Sequence, residues 1–548
     1  LTESSYRQTF YRALLVILTA WFLAAYLDKT AATALYFDSA WHGSVAKNVA
    51  IGVGYASSFD GLHHFEPDVT TGPAPILLAA LAIKIFGNAY SLPLYVAALL
   101  NLTLAIAVMA GVWRLRGRST ALASAACFAL LLTFYEERWW HIFTGDLPAL
   151  LLGLLGLQAL ALALHDGQTR HFALTGLALA LALLSKLLAA IVLMAALGMV
   201  LIYIWRNRSQ PGSTLPARGI VVLVIALGLP LLAWQLYSAD SPTGEDRSGV
   251  WERNSVGISQ LLKAEKPLQH MGTALQASHR ALNQKLGRYG LPVGSYLLLL
   301  AASVLICVHA LRHQSGPWQT WLAGFALACC GFWLWHLLFN LSQLTKYTLY
   351  PTLMTLWLMC MAAAGTRWRW YTALVLVAWI VLSPSRTADH ALRFASFSYP
   401  DDIYRAELLA MAAEIEQYQQ ELGRPPLAAC GWNNAPWPLE YVLPGAANFL
   451  DCHQHLLRAM RMGPDGEYQW IEGQNLGFSL VQERILWKLD KLDREKNTLI
   501  LELCDRQAIY ENEGFRLLRC RDAALREGIP LEKDSPFLEI NRPGTRQR

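Results

Sequence analysis

Long apolar runs alternate with short polar breaks from residue 12 to residue 383, and then they stop. A membrane-spanning helix needs roughly 20 largely apolar residues. On that measure the candidate spans are 12–32, 74–113, 119–135, 147–164, 172–205, 219–237, 291–312, 318–340, 346–364 and 369–383. The 74–113 run is interrupted between Gly87 and Pro93. The 172–205 run is too long for one crossing, and Ser185 and Lys186 break it, so it predicts two short helices that turn near Lys186. The total is about eleven spans. After residue 383 the pattern changes: Leu408, Met411, Ile415 and Tyr418 recur at helical spacing, and short apolar stretches at 427–432, 447–451, 497–503 and 514–519 read as strands. The predicted architecture is therefore mainly α: a polytopic helical membrane domain over 1–383, followed by a small α/β domain over 384–548 that lies outside the bilayer.

Composition agrees with this division. Hydrophobic residues make up 54% of the chain and charged residues only 16%, against about 25% charged in ordinary soluble domains. The net charge of +5 is small for 548 residues and is spread over short loops. With no nucleic-acid-binding motif, that distribution speaks of membrane topology and not of a nucleic-acid partner. Arg7 and Arg12 precede the first span, Arg114, Arg116 and Arg118 follow the second, and Arg206, Arg208 and Arg218 lie about the loop after the Lys186 turn. The positive-inside bias puts these in the cytoplasm. Segments 33–73, 136–146, 238–290, 340–346 and everything after 383 then face outward. The first apolar run carries no small-residue cleavage site, so it is expected to persist as a span.

Five of the nine cysteines (Cys127, Cys307, Cys329, Cys330 and Cys360) fall in apolar runs, where cysteine behaves as a small hydrophobe. The other four, Cys430, Cys452, Cys504 and Cys520, suit two disulfides in an outward-facing domain. Three pairings are open, with Cys430–Cys452 and Cys504–Cys520 preferred.

Chemistry concentrates on the outer segments. Asp38 stands where it can cap a helix running from Ser39 to about Ala50, whose Trp41, Val45 and Val49 form an apolar stripe opposite Lys47 and Asn48. Such a helix is expected to lie along the membrane surface. Asp38 is then either a cap alone or a carboxylate at the place where a membrane-borne substrate meets water. Glu136, Glu137 and Asp146 occupy the next outer loop, and Asp146 heads the following span, where it too has a capping reading. Ionisable residues at a membrane boundary are functional suspects. Lys186 and Lys346 sit on the same side against the positive-inside bias, in roles that range from snorkelling to headgroups to holding a phosphate. His42, His63 and His64 share the first loop as solvated histidines or metal ligands, and Trp139 and Trp140 suit stacking on a sugar ring or lining a lipid tail.

Taken in order, these segments resemble the GT-C class of glycosyltransferases, which includes protein O-mannosyltransferases and the lipid A aminoarabinose transferase. The resemblance runs from Asp38 and the Asn48–Gly52 helix end through Thr70-Thr71-Gly72-Pro73 and Ile85-Phe86-Gly87. It continues at Asp146, at Leu184-Ser185-Lys186 and at Lys346-Tyr347 to Pro351. It implies a sugar donor carried on a polyprenyl phosphate and an inverting single displacement at the outer face of a bacterial inner membrane, with the N-terminus cytoplasmic and the C-terminal domain periplasmic. By position, Asp38 would be the general base, and Lys186, Lys346 and Tyr347 would hold the donor phosphate. Asp146, with Glu136 or Glu137, would orient acceptor or base. Some members of the class need a divalent metal (Mg, Mn or Ca), which Asp38 and Asp146 would share; others need none. Where the lipid A transferases carry Glu-Lys-Pro-Pro this chain has Thr71-Gly72-Pro73-Ala74, so Glu66 and Asp68 stand as substitutes on the acceptor side, together with His42. The acceptor itself, whether lipid, polysaccharide or protein, stays open.

Two other readings fit many spans. A polysaccharide ligase or polymerase using a lipid diphosphate donor would gather arginines in one outer loop, and 238–290 holds Arg247, Arg253, Arg280 and Arg288. A secondary transporter would pair ionisable groups near the bilayer midplane, whereas here they gather at its outer boundary.

Overall fold

The computed structural model describes residues 37–55, 72–118, 143–207, 216–239, 267–287, 292–313, 316–339 and 345–364. It adds a few neighbouring positions, Tyr441, and the strands of the C-terminal part. Eleven helices fall within the described residues: α1 Phe37–Ile51, α2 Pro73–Phe86, α3 Leu92–Arg116, α4 Asp146–Asp166, α5 Thr169–Ser185, α6 Ala190–Asn207, α7 Ala217–Ala239, α8 Pro267–Gly287, α9 Tyr296–Arg312, α10 Pro317–Leu338 and α11 Leu349–Ala364. Five segments are long and apolar enough to cross a membrane: Leu92–Arg116, Asp146–Asp166, Leu187–Arg206, Ala217–Tyr237 and Pro317–Leu338. Helices α2, α5, α9 and α11 are shorter apolar helices.

Both interruptions expected in the long apolar runs are present. The first falls between Phe86 and Leu92, where Gly87 takes a φ of 82° that disfavours any other residue. It leaves α2 only 14 residues long, about 21 Å at the helical rise and short of a hydrocarbon core of about 30 Å. The second falls at Lys186, which is extended (φ −158°, ψ 126°) between α5 and a 3₁₀ turn over Leu187–Ala189. The spans expected at 12–32, 119–135 and 369–383 lie largely or wholly outside the described residues.

Contacts divide the chain into two compact units. One holds Glu66–Pro75 and Tyr95–Ser398 and contains the helical bundle. Within it α4 packs on α5, α5 on α7, α6 on α10, and α9 and α11 on α10. The core runs through α3, α4, α6, α10 and α11, with Leu150, Leu157, Trp321, Phe325, Phe332 and Trp357 almost fully buried. Glycines permit the closest approaches: a Cβ on Gly176 of α5 would come within 2.4 Å of the Leu223 carbonyl oxygen of α7.

The two ends of this bundle differ. At one end Arg206 of α6 donates to the Leu311 carbonyl of α9, His165 of α4 meets Thr320 of α10 at 2.9 Å, and His171 of α5 pairs with Asp166 of α4 at 2.8 Å. Arg114, which acts electrostatically on Asp166, belongs to this end as well. The opposite ends of α4 and α5, about 31 Å away along the 21 residues of α4, carry Asp146 and Lys186. Arg114 and Arg206 thus stand at one end of the bundle, away from Asp146 and Lys186.

The other unit collects 31–65, 76–94 and 399–548. Its helix α1 begins at Phe37, so Asp38 falls inside the first turn and not ahead of it. The expected surface helix with a polar face is corrected here: Lys47 and Asn48 are 3% and 0% exposed, and Ser39, His42, Ser44 and Val45 are buried too. Packing covers both faces. In the C-terminal part five strands form a mixed sheet in the order β2-β1-β5-β7-β6, from Ala428–Cys430 (β1), Phe449–Leu450 (β2), Phe478–Val481 (β5), Cys504–Glu511 (β6) and Arg516–Cys520 (β7). The first two pairings, β1 with β2 and β1 with β5, are parallel, and β7 runs antiparallel to β5 and β6. A separate hairpin-like pair joins Met460–Met462 (β3) to Tyr468–Trp470 (β4). Strands stand at or beside three of the expected stretches; the fourth, 497–503, lies outside the described residues. Cys504 and Cys520 are register partners across β6 and β7.

Replacing Gly176 with alanine should destabilise the bundle by about 1–3 kcal/mol through overpacking. Gly228→Ala on α7, where no atom lies within 4 Å of an added Cβ, should be neutral or stabilising by up to about 1 kcal/mol. Thermal unfolding of the two variants in detergent checks the contrast.

Candidate active site

The site is built on the turn between α5 and α6. Lys186 breaks the helix by going extended, and its N–H still closes the last turn onto the Ala182 carbonyl at 2.9 Å. The Ser185 carbonyl is left pointing away from the helix. Gly72, just ahead of α2, donates its N–H to that oxygen at 2.9 Å. Gly145, just ahead of α4, packs so tightly on the same group that a Cβ would stand 1.8 Å from the Ser185 oxygen, and a Cβ on Gly72 would stand 2.2 Å from the Leu184 oxygen. Two glycines in separate loops therefore let three chain segments meet at one carbonyl.

That meeting brings the first residue of α4 against Lys186. The Lys186 ammonium donates to Asp146 Oδ2 at 3.0 Å, with the two side chains 9% and 8% exposed. From α11 the phenol of Tyr350, 1% exposed, donates to Asp146 Oδ1. The capping alternative for Asp146 is excluded: Gly145 holds the cap position and no side chain caps this helix. A buried ion pair is stable only when its geometry is good and its remaining valences are bonded, and Tyr350 supplies such a bond. The phenol is in turn held by aromatic contacts, with ring centroids 5.4 Å from Phe332 and 6.3 Å from Trp335 of α10. Trp335 also meets Tyr347 edge-on at 5.9 Å, and Thr352 ties α11 to the 3₁₀ turn Thr345–Thr348 by donating to the Thr348 carbonyl at 2.5 Å. Helix α8 packs against that turn and is fixed to the bundle by Ser278, which donates to the His336 carbonyl.

Chemically this is a lysine held at a fixed point by a carboxylate whose other oxygen is engaged by a phenol. An ammonium has three donors. One is spent on Asp146, and among the described residues no second acceptor engages the others.

The structure thus joins Asp146 with Lys186 and sets Tyr347 one aromatic ring away from their partner Tyr350. Lys346 lies in the 3₁₀ turn and Asp38 in the first turn of α1, their side chains outside what is described. Glu66, Asp68, Glu136, Glu137, His63, His64, Trp139 and Trp140 lie outside the described residues. His42, expected to be solvated or to ligate metal, is 3% exposed within α1, with its ring stacked on Trp41 at 6.2 Å. Among the described residues no three histidine, cysteine or acidic side chains gather as a metal cage, and the partners shown for Asp146 are an ammonium and a phenol. A divalent metal at Asp38 and Asp146 would need ligands from beyond those residues. Tyr350 is the residue that sequence reasoning left out of the site. It stood within the Lys346–Pro351 stretch, four residues after Lys346, one helical turn on.

The fold and part of the sequence have counterparts among known proteins. A family profile described as Dolichyl-phosphate-mannose-protein mannosyltransferase matches residues 70–234, which include Gly72, Gly145, Asp146 and Lys186. Over nearly its whole length the chain has the fold of a GT-C class membrane glycosyltransferase. It resembles the solved structure of ArnT from Cupriavidus metallidurans bound to undecaprenyl phosphate, with a TM-score of 0.51 and 12% identity over 93% of this chain and 99% of that one. The apo structure of that protein aligns at a TM-score of 0.44 and 11% identity over 94% and 99%. No curated protein matches the chain.

Removing Lys186 leaves Asp146 buried and uncompensated, so Lys186→Ala should cost about 3–5 kcal/mol. Adding Asp146→Ala to it should recover part of that loss. Urea unfolding of both single variants and the double variant measures the coupling.

Proposed function

We propose that this protein transfers a sugar from a polyprenyl-phosphate-linked donor to an acceptor hydroxyl at the outer face of the membrane. The acceptor oxygen attacks the anomeric carbon, the bond from that carbon to the phosphate oxygen breaks, and the configuration inverts. Asp38 takes the proton from the acceptor. Lys186 and Lys346 receive the phosphate as negative charge builds on its leaving oxygen, with Tyr347 beside them, and Asp146 and Tyr350 hold Lys186 in place for that task. Preorganised charge of this kind acts on the transition state more than on the ground state. Acidic residues of the outer loops, Glu66, Asp68, Glu136 and Glu137, face the acceptor in this reading.

The observation that carries the proposal is the buried Lys186–Asp146–Tyr350 cluster at the end of the bundle opposite Arg114 and Arg206. Burial keeps the ammonium in a medium of low dielectric, where it attracts a phosphate strongly. The positive-inside rule assigns the arginine end to the cytoplasm, which turns the cluster outward, the side on which a lipid-carried sugar meets acceptors of the envelope. In this reading the chain makes about eleven crossings in a bacterial inner membrane, with the α/β C-terminal domain periplasmic. Undecaprenyl phosphate in the ArnT structure supports the donor class. Ionisable groups placed at helix ends, away from the midplane, argue against a transporter.

Asp38→Asn should lower kcat by about 10²–10⁴, the range for loss of a positioned acid or base. Lys186→Ala should lower it by about 10²–10³, provided that the variant is assayed at a temperature where it remains folded. Turnover of a polyprenyl phosphate sugar by reconstituted protein reads both, and wild-type turnover by Asp38→Asn would refute its role as base.

A further inference from the structure

In the unit that holds α1, one residue from far along the chain has no place in the chemistry above. Tyr441 belongs to the C-terminal part, yet its side chain is fully buried among the elements next to the first outer segment. Its phenol donates to the Ala89 carbonyl at 3.0 Å, and its own carbonyl accepts from the Asn88 side-chain amide at 2.6 Å. Its ring lies against α1: a Cβ on Gly43 would come within 3.1 Å of Tyr441 Cδ2 and 3.4 Å of Cε2. Burial pushes the phenol pKa up, so the donor stays protonated.

Each contact uses a feature of the local sequence. Between α2 and α3 the chain turns through Gly87 at positive φ. The Ala89 carbonyl that follows accepts both the Leu92 N–H, at 3.0 Å, and the Tyr441 phenol. On α1, Gly43 is the position without a side chain, and the tyrosine ring fills the space that a side chain would occupy. Nearby, the Leu35 N–H donates to the Tyr90 phenol oxygen at 2.9 Å, which ties the chain just ahead of α1 to the same linker. Tyr90 of the linker therefore holds the chain just ahead of α1, and Tyr441, bonded to Asn88 and Ala89, packs against the middle of α1.

We propose that Tyr441 is the positioning residue through which the C-terminal part sets helix α1, and with it Asp38. The C-terminal part thereby has a task in the reaction: it sets the helix that carries Asp38. This rests on the assignment of Asp38 as base. A side chain displaced by as little as about 1 Å from its productive position can cost on the order of 10²-fold in rate.

The test compares the full chain in lipid nanodiscs with its Tyr441→Ala and Tyr441→Phe variants, by hydrogen–deuterium exchange of peptides covering 37–51 and by turnover. The phenylalanine variant keeps the ring against Gly43 and loses only the bond to Ala89, so it serves if the alanine variant does not fold. Faster exchange in α1, graded from Phe to Ala, with exchange in α4 to α6 unchanged, is expected. A fall in kcat of about tenfold or more for Ala at nearly constant donor KM should accompany it. Unchanged exchange in α1 in both variants overturns the proposal. Faster exchange with unchanged turnover also overturns it, because α1 would then be anchored without setting Asp38; loss of turnover in Asp38→Asn reads the base separately, so the two failures are separable.

Discussion

A charged lysine held out of water inside a helical bundle is the constraint around which the described structure is arranged. The Lys186 ammonium and the Asp146 carboxylate are each less than a tenth exposed. Desolvating two charges costs several kcal/mol apiece, and their attraction repays that cost only when geometry and further hydrogen bonds are right. Everything nearby serves that geometry. Lys186 must leave the helix to reach Asp146, so α5 ends there; Gly72 and Gly145 must lack side chains so that their loops can close on the Ser185 and Leu184 carbonyls. Tyr350 must stand on α11 to engage the second carboxylate oxygen, and Phe332 and Trp335 hold its ring. A structural ion pair in a membrane protein could be replaced by apolar packing at no loss of stability. Its presence at a helix end, beside the aromatic turn that carries Lys346 and Tyr347, is the arrangement expected of a site that receives an anion.

Much of this was readable before any coordinates. Apolar run lengths located the helices of the bundle because hydrocarbon thickness dictates them. The interruption at Ser185-Lys186 was visible as polar residues inside an apolar run, and Asp146 stood out as a carboxylate at the head of a span. Tyr350 was not visible in that way. A tyrosine near a membrane boundary is ordinary, and only the packing of α11 against α9 and α10 turns it toward Asp146. Helix α1 misled for a related reason. Lys47 and Asn48 look like a solvent-facing stripe, yet the unit that contains them buries both, because the contacts that cover α1 come from remote parts of the chain. Local periodicity reports one face of a helix; it does not report what arrives to cover the other.

The division of labour follows from these two cases. Residues 70–234, the stretch that matches the mannosyltransferase family, hold the lysine and its carboxylate, and the turn before α11 adds the aromatic wall. Helix α1 belongs with Tyr441 and the Gly87–Ser91 linker. Under the proposed function the bundle carries the residues that hold the phosphate, and α1 carries the proton acceptor.

The central claim is that Lys186 and its partners receive a polyprenyl phosphate. Native mass spectrometry of the full chain, released from membranes with its bound lipids, measures this directly. The account predicts an adduct with the mass of a polyprenyl phosphate or its glycosylated form on the wild-type protein, and its loss from a folded Lys186→Ala variant. Absence of that adduct from the wild type, or its equal retention by the variant, would contradict the account.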